Sequence, residues 1–155
     1  MSPAHSANTV SGPIEELVGR EEELELLLSS LRTSERAIWY VHGIAGIGKS
    51  TLLRAFASAA ERNGCFVLLL DGRSTEPTAT GFLESVSQHI GRKVTVANLT
   101  AALGGKSKAV AIVIDNYESL TLLDPWIRQI LVPALPSSAR LFLAARELPG
   151  PAVAA

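Results

Sequence analysis

The sequence predicts an α/β fold, with a parallel sheet of about four strands flanked by helices. Three observations carry this. Four short runs have uninterrupted apolar centres: "AIWYVHG" from Ala37, "CFVLLLDGR" from Cys65, "AVAIVIDN" from Ala109 and "RLFLAAR" from Arg140. Continuous rather than alternating apolar strands are buried on both faces, as parallel strands are. Helical patterns separate the runs, and such alternation puts helices on both sides of the sheet. Aromatic residues are 5% of the chain against 47% hydrophobic residues overall, which fits an aliphatic α/β interior better than a small β-sandwich.

The elements follow in order. Residues 1–13 are small and polar with two prolines and are expected to be a disordered lead-in. One domain then runs over 14–155. From Glu15 to Leu31 the spacing is helical, with Leu24, Leu27, Leu28 and Leu31 on one face. Glu21, Glu22, Glu23 and Glu25 lie early in it, where the helix dipole favours acids, so this charge run reads as a solvated face. The first strand leads into a helix through "KSTLLRAFASAAERNG", and the second into a helix through "TATGFLESVSQHIG". A short helical segment, "VANLTAALGG", precedes the third strand, and a helix around "PWIRQILVPAL" precedes the fourth.

Composition excludes several function classes. With 155 residues and a net charge of −1, the domain can bury a sizeable core but has no basic field to draw it to nucleic acid or anionic lipid. The single cysteine, Cys65, cannot form an internal disulfide and suits a reducing compartment; it reads as a small apolar filler opening the second strand. The opening "MSPAHSANTVSGP" has neither a basic region nor an apolar run of the secretory kind, and no apolar run approaches the roughly 18 residues that span a bilayer. The expectation is a cytoplasmic protein with no membrane partner. His5 and His89 form no metal-spaced cluster, His42 reads as a strand-end residue, and Trp39 and Trp126 read as packing residues.

"GIAGIGKS" carries the chemistry. Gly43, Gly48, Lys49 and Ser50 satisfy G-x-x-x-x-G-K-[ST], between an apolar strand and a helix. Glycine lets backbone N–H groups approach phosphate oxygens with no Cβ in the way, and Gly46 adds to that freedom. Lys49 supplies a point charge for the β- and γ-phosphates, and the Ser50 hydroxyl can ligate Mg²⁺. The helix N-terminus that follows also favours an anion. The whole of Gly43, Ile44, Ala45, Gly46, Ile47, Gly48, Lys49, Ser50 and Thr51 therefore reads as a phosphate cradle.

A cradle of this kind needs an acid to hold the metal ion and water. Six apolar residues end in Asp115, at the carboxyl end of a buried parallel strand, where ligands of open α/β sheets bind. The alternative for Asp115 is a cap on the next helix. Asn116 follows it and cannot accept a proton at neutral pH, which puts hydrolysis in doubt. Glu118 is a candidate substitute acid or a first-turn helix acid. Arg146, after the fourth strand, is a candidate γ-phosphate sensor or a surface arginine paired with Glu147.

With "LVGREEELELL", "GIAGIGKSTLL", "AIVIDNYESL" and "LFLAARELPGP" in that order, the chain resembles the STAND branch of AAA+-related P-loop ATPases. That group includes LuxR-type transcriptional regulators and origin-recognition-complex-like ATPase modules. The resemblance implies a P-loop NTPase sheet of the ASCE type, with Val18 and Arg20 near adenine and ribose. It also implies Mg²⁺ held by Ser50 and Asp115, Arg146 as sensor, and a switch between ADP- and ATP-bound forms. Such proteins carry a fifth core strand beside the phosphate-loop strand and a helical lid, and this stretch stops after the sensor strand. An open edge on "AIWYVHG" is then expected to meet a protein partner or the missing C-terminal domains. Two other functions stay open: a P-loop small-molecule kinase, and a non-nucleotide interaction fragment that pairs through the open edge. A regulatory GTPase is disfavoured, because no N-K-x-D stretch follows the third strand.

Overall fold

The computed structural model describes residues 21–32, 38–42, 48–104 and 109–145. Helix α1 (Glu21–Ser30) precedes strand β1 (Ile38–His42), which is followed by α2 (Lys49–Arg62) and β2 (Phe66–Asp71). Helices α3 (Ala79–Ile90) and α4 (Leu99–Gly104) lead to β3 (Val110–Asp115). A 3₁₀ stretch, Tyr117–Leu123, then runs into helix α5 over 124–134, and β4 (Ala139–Ala145) closes the described chain. The expected N-terminal tail and the first turns of the expected 15–31 helix lie outside the described residues.

All strand pairs are parallel, and the order across the sheet is β1-β4-β3-β2. The two central strands are β4 and β3. Every residue of β4 is buried, as is every residue of β3 up to Ile114, so their continuous apolar sequences have the expected physical meaning. At the edge the rule fails. In β2 only Leu68 and Leu70 are fully buried, because no described strand covers its other side. Cys65 does not open that strand; it precedes it and is half-buried.

Two apolar layers sandwich the sheet, and alternate residues of each strand supply one or the other. On one side Leu27 of α1 and Leu52, Leu53 and Phe56 of α2 pack on Ala111, Val113, Phe142 and Ala144. Phe56 and Phe142 meet with ring centroids 4.6 Å apart. On the other side Phe82, Val86, Leu103, Leu123 and Ile127 pack on Leu68, Leu70, Ile112, Ile114, Leu141 and Leu143. Trp126 lies edge-on to Phe82 at 5.9 Å, a helix-packing role.

Local sequence explains the helix ends. Thr78 caps α3 by accepting a hydrogen bond from Gly81 N at 2.9 Å, and Gly91 ends it in the left-handed region. Within α5 the turn Ile127–Leu131 widens to a π turn just before Pro133. Proline donates no backbone hydrogen bond and its ring crowds the preceding turn, so the wider turn accommodates it without breaking the helix.

Candidate functional site

In a parallel sheet every strand ends on the same edge, and here that edge gathers the polar residues. Gly48 adopts φ 70°, a conformation that side chains resist, and hands the chain directly to α2. Lys49, Ser50 and Thr51 therefore form the first turn of a 14-residue helix, half-buried, at the positive end of the helix dipole, which favours an anion. Asp71 and Asp115 terminate β2 and β3 and are register partners, side by side on neighbouring strands.

The helix and the strand end are joined directly. The Ser50 hydroxyl donates to Asp115 Oδ2 at 2.6 Å, and Asp115 Oδ1 accepts from Asn116 N at 2.8 Å. The 3₁₀ stretch that follows begins after Asn116, so Asp115 is not its cap residue. A serine hydroxyl and a carboxylate in contact are hard oxygen donors of the kind Mg²⁺ takes with waters and phosphate oxygens. Ser50 and Asp115 could thus hold the ion, and Lys49, one residue before Ser50, could supply the charge for the phosphates.

Asn116 sits in the left-handed region at φ 55°. Its amide Nδ2 donates to Asp71 Oδ1 at 3.0 Å. Asp71 also accepts from Arg73 N at 2.9 Å and from the Arg73 guanidinium at 3.3 Å. Burial opposes ionisation of Asp71, but the hydrogen bonds from Arg73 N, the Asn116 amide and the Arg73 guanidinium together outweigh it and hold its carboxyl below the ordinary aspartate value. Gly72 makes the approach possible: a Cβ there would lie 2.4 Å from the Asn116 carbonyl oxygen.

A second polar group braces the segment from behind. Tyr117 is fully buried and donates its phenol hydrogen to Asp124, which also accepts from Arg128 Nε at 3.0 Å. Burial, then the Asp124 carboxylate, drive the Tyr117 phenol far above its ordinary value.

The structure brings Gly48, Lys49, Ser50, Thr51 and Asp115 to one edge of the sheet. Glu118 is exposed in the first turn of the 3₁₀ stretch, the place of a helix-start acid. Val18, Arg20, Gly43, Ile44, Ala45, Gly46, Ile47 and Arg146 lie outside the described residues. Asp71, Gly72 and Arg73 were not singled out from sequence. The signal was present, since "FVLLLD" and "AVAIVID" both end an apolar run in aspartate, and parallel pairing sets such ends side by side. Among the described residues no helix is long and apolar enough to cross a membrane.

Comparison with known proteins agrees with this geometry. The family described as "AAA ATPase domain" matches residues 16–148. No curated protein matches the chain. Among solved structures, one similar chain is in a Drosophila ORC bound to AT-rich DNA and Cdc6, with TM-score 0.62, 13% identity, and coverage of 98% of this chain and 53% of that one. Another is in a Drosophila ORC bound to DNA, with TM-score 0.60, 13% identity, and coverage of 83% and 37%. A third is the Aeropyrum pernix ORC2 protein in its ADP form, with TM-score 0.53, 16% identity, and coverage of 83% and 40%. At such identities the likeness is one of fold. The chain spans only 37% and 40% of the length of the last two.

Proposed function

Because the chain belongs to the AAA ATPase domain family, we propose that it is an ATP/ADP·Mg²⁺-binding nucleotide switch within a signalling or transcription-regulating ATPase of the STAND kind, with weak or absent hydrolysis. The observation that carries this reading is the 2.6 Å hydrogen bond from Ser50 to Asp115. It joins the end of the phosphate-loop sequence to the strand-end acid, the two groups that share a magnesium ion in phosphate-loop sites. Lys49 at the start of α2 neutralises phosphate charge, and the positive end of the helix dipole adds to the field. Weak hydrolysis follows from Asn116, which is an amide where a proton acceptor would stand.

Edge strand β1 suggests where a partner meets the module. It pairs with β4 on one side, and no described strand covers the other. A further protein segment, from a partner or from additional domains of a longer chain, would complete the sheet there. Nucleotide exchange acts as a switch when ADP and ATP favour different arrangements of that neighbour.

Titration with fluorescent ADP and ATP in the presence of Mg²⁺, beside Lys49→Ala, tests the reading. Saturable binding that the variant lacks is the expected result. Failure of the folded wild type to bind either nucleotide would overturn it.

A further inference from the structure

Asp115 is held at both carboxylate oxygens, and one of the two holds depends on a backbone joint that most residues avoid. Oδ2 accepts from the Ser50 hydroxyl at 2.6 Å, and Oδ1 accepts from the Asn116 N–H at 2.8 Å. That N–H belongs to the peptide linking the two residues, and Asn116 stands at φ 55°. Asparagine tolerates the left-handed region better than most side chains, yet such a conformation persists only where the surroundings impose it. The next residue supplies that constraint. Tyr117 is fully buried in the same apolar layer as Leu120, Leu123, Ile127 and Leu143. Its hydroxyl donates to Asp124 Oδ1, and Asp124 is only 4% exposed. The other Asp124 oxygen accepts from Arg128 Nε at 3.0 Å and Nη2 at 2.9 Å. The Tyr117–Asp124 bond therefore closes residues 117–124 into a loop whose two ends meet at one buried carboxylate. The hydroxyl cannot drift from that point without leaving a buried oxygen bare, which is the costly way to lose a hydrogen bond.

We infer that Tyr117 is a positioning residue for the metal site: its hydroxyl, anchored on Asp124, holds Asn116 in the left-handed region and so keeps the Asn116 N–H on Asp115 Oδ1. The inference rests on the nucleotide-binding reading above. With Oδ1 occupied by that N–H, the carboxylate cannot turn about its own bond, and Oδ2 stays directed at Ser50. A metal ion then meets two oxygen donors already in place, and binding does not have to order them. Once the anchor is lost, Asn116 can relax toward ordinary backbone angles, the peptide before it swings, and Asp115 rotates freely. Tyr117 touches neither metal nor nucleotide in this arrangement. It acts through Asn116 and Asp115 alone.

Tyr117→Phe tests the inference, because it keeps the buried ring and removes only the hydroxyl. Val86→Ala is the control: it opens the same apolar layer from α3 and touches no part of the loop. Fluorescent ATP affinity without metal, the Mg²⁺ concentration that half-saturates its metal-dependent binding, and the thermal midpoint are measured on each. Both variants are expected to lower the midpoint. Tyr117→Phe alone is expected to raise the half-saturating Mg²⁺ concentration about fivefold or more, with affinity in the absence of metal within about twofold of wild type. A lowered midpoint with an unchanged Mg²⁺ requirement makes the hydroxyl a brace of the fold only and overturns the inference. An equal rise in the Mg²⁺ requirement of Val86→Ala overturns it as well, since general loosening would then explain the effect. Absence of ATP binding in the wild type is a different result, since it removes the nucleotide reading and this inference together.

Discussion

Ser50 and Asp115 stand 65 positions apart in the chain and 2.6 Å apart in the fold. A hydrogen bond to a charged group contributes about 1.5–3 kcal/mol when made. Its loss is therefore expected to lower folding stability as well as to weaken metal binding. Ser50→Ala should weaken Mg²⁺-dependent nucleotide affinity about tenfold or more, the equivalent of about 1.4 kcal/mol, while affinity without magnesium changes little. Titrations with and without the ion distinguish the two. Tyr117 gives a residue-scale expectation for pH. Its folded phenol is raised above the ordinary value by burial and by Asp124, so the stability it supplies is fully present below the unfolded value, about 10, and declines as pH rises beyond it. Chemical denaturation between pH 9 and 11 should show this decline in the wild type and a shallower one in Tyr117→Phe. Gly72 sets the third: Gly72→Ala pushes a Cβ to 2.4 Å from the Asn116 carbonyl oxygen. Overpacking of this kind costs about 1–3 kcal/mol and should lower the denaturant midpoint.

Elements were legible where the chain is regular. Uninterrupted apolar runs such as "AVAIVID" can be read as buried parallel strands, and the structure makes β3 and β4 the central pair. The phosphate-loop pattern placed Lys49 and Ser50 at a helix start, where α2 begins. What could not be read was lateral order. Nothing in "FVLLLD" says that it lies at an edge, because edge position depends on which strands pair, and that is decided by long-range packing. The Asp71–Asn116 bond belongs to the same class, since it depends on register between strands separated by two helices. The short π turn in α5 is a further case: Pro133 signals a disturbed helix but does not say whether the helix ends or widens. At this scale Phe56 against Phe142 helps hold α2 to the sheet, beside Leu52 and Leu53. Phe56→Ala should cost about 3–5 kcal/mol, and calorimetry should find the whole domain, rather than α2 alone, unfolding at a lower temperature.

Across the whole molecule, ligand binding and folding share one equilibrium. A nucleotide at about 100 times its dissociation constant stabilises the folded state by about 2.7 kcal/mol. For a domain of this size that is a rise of about 5–10 °C in the unfolding midpoint. Thermal scans with ADP·Mg²⁺ should show this rise in the wild type and none in Lys49→Ala. The strand order has a consequence for the birth of the protein. The phosphate-loop strand β1 makes its described pairing with β4, with Ile38 opposite Leu141, so the first described strand waits for the last described one. Synthesis proceeds from the N-terminus at about 5–20 residues per second. During those seconds β1 has no described neighbour to lie against, while β2 and β3 can already pair with each other. The nascent chain thus leaves β1 without its described partner until β4 emerges, and chaperone demand should peak just before β4 clears the ribosome.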